Sequence, residues 1–75
     1  IFEGKILIND MCRIIGVPFS TFDNIKGQSD SVAGLILEIA GRFPNVNERI
    51  NYKKIDFVVL SIDKLRIGLV KIEME

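Results

Sequence analysis

Asp30-Ser31-Val32-Ala33-Gly34-Leu35-Ile36-Leu37-Glu38-Ile39-Ala40-Gly41-Arg42-Phe43-Pro44 is the stretch around which the chain is organised. At the angular step of a helix, Val32, Ala33, Leu35, Ile36, Leu37, Ile39 and Ala40 sweep an arc of roughly 200°, and Ser31, Gly34, Glu38, Gly41 and Arg42 share the remainder. The spacing predicts a helix buried over more than half its circumference. Asp30 or Ser31 can cap its first amides, Gly41 can adopt the left-handed terminating conformation, and Pro44 blocks continuation. Gly34 is locally unfavourable, because a helical glycine costs about 1 kcal/mol relative to alanine. It implies close approach of another backbone, or a helix face kept bare for a ligand or partner.

On the N-terminal side, Lys5-Ile6-Leu7-Ile8 is a β-favouring run fed by a turn at Gly4, which predicts a strand over 5–8. Asn9-Asp10 then offers a cap. Met11, Ile14 and Ile15 fall at helical spacing before Gly16 and Pro18, which predicts a short helix over 10–15. Cys12 inside it reads as a small packing residue, with only Arg13 nearby to lower its pKa. Residues 17–29 are rich in turn formers, yet Phe19, Phe22 and Ile25 recur at three-residue spacing. A connection carrying them folds over the core, with one helical turn as its expected structure.

On the C-terminal side, 43–47 is a turn, and the pattern then changes to a period of two. Ile50 and Tyr52 alternate with Arg49 and Asn51, and Lys53-Lys54 turns the chain into a strand over 55–62. Asp63-Lys64-Leu65-Arg66 makes a second tight turn. The last run places Gly68, Val70, Ile72 and Met74 on one face, with Lys71, Glu73 and Glu75 on the other. The order β-α-α-β-β-β predicts an α+β sandwich, with two helices packed on one face of a mostly antiparallel sheet, and excludes the ferredoxin-like order.

Seventy-five residues make one domain, and so short a chain buries only about 60% of the surface of its unfolded form. With 48% hydrophobic residues and a mean hydropathy of +0.30, some apolar surface is expected to stay exposed as an interface with a partner or a second copy. Ten basic and ten acidic residues cancel, which removes the global positive field that draws proteins to nucleic acid. No apolar run is long enough to cross a bilayer, so direct membrane insertion is not expected. The chain opens at Ile1 without methionine, and we expect it to be part of a longer protein.

With no histidine, Ser-His and Cys-His nucleophiles are excluded, and a single cysteine closes no internal disulfide. The carboxylates are scattered among turns, caps and strand exteriors without calcium-loop spacing. Gly34 and Gly41 do not cluster ahead of a helix as a phosphate-cradling loop requires. The residues therefore imply no enzyme, no metal centre and no cofactor.

The run from Asp30 to Glu38, then Gly41-Arg42-Phe43-Pro44 and Glu48, resembles the CorC/HlyC transporter-associated domain. Phe57-Val58-Val59-Leu60-Ser61-Ile62-Asp63-Lys64-Leu65-Arg66-Ile67 is similar to that family's final hairpin, and Gly4-Lys5-Ile6-Leu7-Ile8 to its opening. The segment 16–29 looks most like the gliding-motility-associated branch. Ser31 stands where the family commonly has threonine, keeping a capping hydroxyl. Asn47 stands where it commonly has glycine, and asparagine is the other residue most tolerant of positive φ.

The resemblance implies a C-terminal cytoplasmic module of a membrane protein, following transmembrane and CBS domains, in the context of magnesium and cobalt efflux or haemolysin-like proteins. It implies a non-enzymatic regulatory or interaction role, with Asp30, Ser31, Gly34, Glu38, Gly41, Arg42, Pro44 and Asn47 as candidate interaction or motif residues. Two alternatives stand beside it. One is a module binding a nucleotide or flavin near Gly34 and Arg42, suggested by the family's likeness to part of a flavin-binding fold. The other is a structural assembly domain of a gliding-motility-associated protein. A homodimer is the alternative to partners within the parent chain.

Overall fold

Two helices bury the same short pattern. In α1 (Ile8–Ile15) the buried side chains are Ile8, Met11 and Cys12, and in α2 (Val32–Ala40) they are Val32, Leu35 and Ile36. Each set follows i, i+3, i+4 spacing, so each helix turns one stripe toward the core; in α1 it is not the stripe expected from Met11, Ile14 and Ile15, because Ile8 and Cys12 are buried beside Met11 while Ile14 is 64% exposed. The computed structural model describes residues 1–74; Glu75, assigned above to the outer face of the last strand, lies outside the described residues.

The stripes rest on a four-stranded antiparallel sheet in the order β1-β6-β3-β2, formed by β1 (Phe2–Glu3), β2 (Arg49–Tyr52), β3 (Ile55–Val59) and β6 (Leu69–Met74). Ile50, Ile55, Phe57, Val59 and Val70 supply its buried face. A separate ribbon pairs β4 (Ile62–Asp63) with β5 (Arg66–Ile67), and adds Ile67 to the core. The molecule is thus an α+β fold with two helices on one face of an antiparallel sheet. A 3-10 turn at Phe19–Phe22 carries Phe22 into the centre, 6.0 Å from the Phe57 ring and 5.6 Å from Tyr52. The connection over 17–29 does fold over the core, although Phe19 is left half exposed.

α2 keeps the caps expected of it. The Gly34 amide donates to the Ser31 hydroxyl at 3.1 Å, so Ser31 rather than Asp30 supplies the side-chain cap, an interaction worth about 1 kcal/mol. Gly41 ends the helix at φ 71°, with its amide donating to the Leu37 carbonyl. The buried arc is narrower than expected, because Leu37 is exposed.

The strand expected over 5–8 is absent. The chain pairs earlier, at Phe2–Glu3, then turns through Gly4, with the Ile6 amide donating to Glu3 O. What remains of the expected pairing is a single antiparallel bridge between Leu7 and Ser31 at the entrance to α2. Val32 N donates to Ile6 O at 2.9 Å, Ala33 N donates to Gly4 O at 2.8 Å, and Ile8 N donates to Asp30 O at 2.8 Å. The opening segment therefore occupies the free amides of the α2 N-terminus, and tertiary hydrogen bonding overrides β propensity. For the same reason α1 begins at Ile8 rather than at residue 10, with Leu7 as a cap that makes no side-chain hydrogen bond.

The strand expected over 55–62 breaks after Val59. Leu60 N and Ser61 N both point to Leu69 O, at 2.8 and 3.4 Å, so two residues oppose one as in a β-bulge. Ser61 Oγ accepts from Leu69 N at 2.9 Å and occupies the space where a Cβ on Gly68 would sit. The bulge deflects the chain out of the main sheet, and the deflected segment becomes the β4–β5 ribbon. Met74, expected on the inner face, is half exposed at the end of β6.

Candidate functional site

The residues singled out in the sequence separate into structural roles. Arg42 holds Glu48 in a two-pronged ion pair, Nη1 to Oε1 at 3.0 Å and Nη2 to Oε2, while Glu48 Oε1 also accepts from the Asn45 amide at 2.9 Å. Pro44 is fully buried beneath this turn, and Asn47 takes φ 70°, the conformation its side chain tolerates. Gly41, Arg42, Pro44 and Asn47 thus come together as the lock between α2 and β2. The Arg42 guanidinium is committed to a carboxylate rather than left free for a phosphate.

Gly34 is not approached by another backbone, nor does it leave a bare face. A Cβ there would lie 2.9 Å from Ser29 Oγ and 3.0 Å from Ser29 Cβ, so the close neighbour is a side chain of the preceding loop. Glu38 lies against that loop, its carboxylate about 3.6 Å from where a Cβ on Gly27 would stand. Asp30 is exposed, and its backbone carbonyl receives the Ile8 amide. These residues do not converge on a shared cavity. The first amides of α2 are all taken, which leaves its N-terminus no donors for an anion.

Hydrogen bonds from Arg42 and from the Asn45 amide hold the Glu48 carboxyl below its usual range. Those from Asn51 and then Arg49 do the same for Asp56 on the outer sheet face, where Arg49 also meets Glu73 at 2.8 Å. A carboxyl whose folded pKa is depressed stabilises the fold above its unfolded pKa, and this contribution is lost as pH falls through the folded pKa. The melting temperature is therefore expected to drop as pH falls below roughly 4, and Glu48→Gln should flatten the decline. Melting curves from neutral to acid pH test this; identical profiles for the two proteins would remove the role assigned to the clamp. Burial pushes the Cys12 thiol up, in keeping with a packing role.

Among the described residues, no group of three or more acidic or cysteine side chains is placed to hold a metal ion. Nor, among the described residues, is any helix long and apolar enough to cross a membrane. Among several open clefts, a groove of about 310 Å³ lies between α2 and the β4–β5 ribbon. Leu37 and Phe43 line the α2 side, Leu65 and Arg66 the ribbon side, and Lys5 one end. Its charged lining residues are Lys5 and Arg66, with no acid among them.

Leu65 was missed as a candidate, although the signal lay in the two-residue loop Lys64-Leu65. Asp63 pairs with Arg66, and the loop residues take φ 51° and 62°, a conformation for which Asn-Gly is the favoured pair. A leucine there costs about 1–2 kcal/mol of backbone strain and is 83% exposed, so neither local conformation nor core packing accounts for it.

Fold and groove together define a small α+β domain with an exposed apolar groove, whose cations Lys5 and Arg66 also line an adjoining cleft with Glu3 and Asp63. The chain belongs to the CorC_HlyC transporter associated domain family, whose model matches residues 1–75. Among solved structures it is similar to the transporter associated domain from a CBS domain protein of Porphyromonas gingivalis, at 33% identity and a TM-score of 0.87, covering 99% of this chain and 86% of that one. It shares its fold with the CorC_HlyC domain of a Xylella fastidiosa hemolysin in complex with Mg++ and Mn++ (18% identity, TM-score 0.79, covering 99% and 84%). It also shares it with a Neisseria meningitidis region described as associated with a Mg2+ and Co2+ transporter, CorC (19% identity, TM-score 0.81, covering 99% and 85%). No curated protein matches the chain.

Proposed function

We propose that this chain is a non-enzymatic regulatory or interaction domain of a magnesium and cobalt efflux or haemolysin-like transporter. It acts from the cytoplasmic side, as the C-terminal module of a chain that also carries transmembrane and CBS domains. The observation that carries the reading is family membership over the whole chain, residues 1–75. The P. gingivalis relative, described as part of a CBS domain protein, supports the same context. The domain would bias the transporter through differential contacts in its working states, with no chemistry of its own. The nucleotide or flavin alternative gains no supporting contact, since Ser29 covers Gly34 and Glu48 occupies Arg42.

The test is to delete residues 1–75 from the parent protein and to measure Mg2+ and Co2+ efflux at matched membrane abundance. A changed rate, or a changed dependence on cation concentration, is expected. Unchanged flux, or a parent gene without membrane helices and CBS domains, would overturn the reading.

A further inference from the structure

We draw no further inference here: the strongest candidate, the outer edge of the four-stranded sheet along β2 (Arg49–Tyr52), carries nothing, because nothing in the structure shows what covers it.

Discussion

Phe57→Ala is expected to leave the domain marginally stable or unfolded. Phe57 is fully buried on β3, between β2 and β6, and its ring meets Phe22 at 6.0 Å. Removing a buried phenylalanine ring costs about 3–5 kcal/mol, because the transfer free energy is lost and a cavity remains. A chain of this length has about 4–11 kcal/mol of total stability, so the loss is a large fraction of the whole. Phe19→Ala is the control. Phe19 is 51% exposed, and its removal should cost under about 1 kcal/mol. Urea unfolding followed by circular dichroism measures both. A difference of less than about 1 kcal/mol between the variants would mean that the Phe22–Phe57 contact is not the centre of the core.

Gly4→Ala is expected to be nearly as damaging, for a reason that has nothing to do with apolar burial. A Cβ at Gly4 would overlap the Ile67 carbonyl oxygen and press on Ala33 Cβ at 3.2 Å. The carbonyl is backbone and cannot rotate away. Gly4 itself cannot retreat, because its amide donates to Gly68 O and its carbonyl accepts from Ala33 N, each at 2.8 Å. A loss of about 2–3 kcal/mol is expected, as for overpacking that forces the backbone to shift. Amide exchange should accelerate first at Ala33 and at Ile6, next to the disturbed turn. Gly16→Ala provides the comparison, since nothing lies within 4 Å of its Cβ position and only its φ of 81° opposes the change. That cost should stay near about 1–2 kcal/mol. If Gly4→Ala were milder than Gly16→Ala, the packing of the ribbon on the opening turn would be wrong.

The contrast between these glycines marks how far local pattern reaches. Gly41 as a helix terminator was legible, because a glycine followed by Pro44 at the end of an apolar-periodic run has one sensible conformation. Gly4 was legible as a turn former, but the oxygen it accommodates belongs to a residue more than sixty positions away. The same limit explains the lost strand over 5–8. Its side chains have β propensity, yet it keeps only one bridge, Leu7 to Ser31, and the Ile6 carbonyl is taken by the amide of Val32 at the start of α2. Gly34 was recognised as requiring an explanation, but its neighbour, Ser29, could not be chosen from spacing. Arg42, Pro44 and Asn47 were singled out as motif residues, and their convergence with Glu48 on a single structural turn became visible only in three dimensions.

The groove was less legible still. Leu37 lay within the apolar arc assigned to the core, and Leu65 lay in a turn. Both are exposed and line one groove, an association that neither segment's own pattern shows. Hydrophobic periodicity reports which residues prefer to leave water, without specifying which partner surface will cover them.

By itself the sequence determined the class of fold, the caps of α2, the hairpin turns and the family, because these depend on nearest-neighbour sterics and on periodicity along one segment. Tertiary structure alone decided where the opening segment spends its hydrogen bonds, how β3 breaks into a ribbon, and which apolar residues remain outside the core. Each of those outcomes depends on backbone donors, acceptors and van der Waals contacts brought together from distant parts of the chain, and no local pattern encodes that meeting.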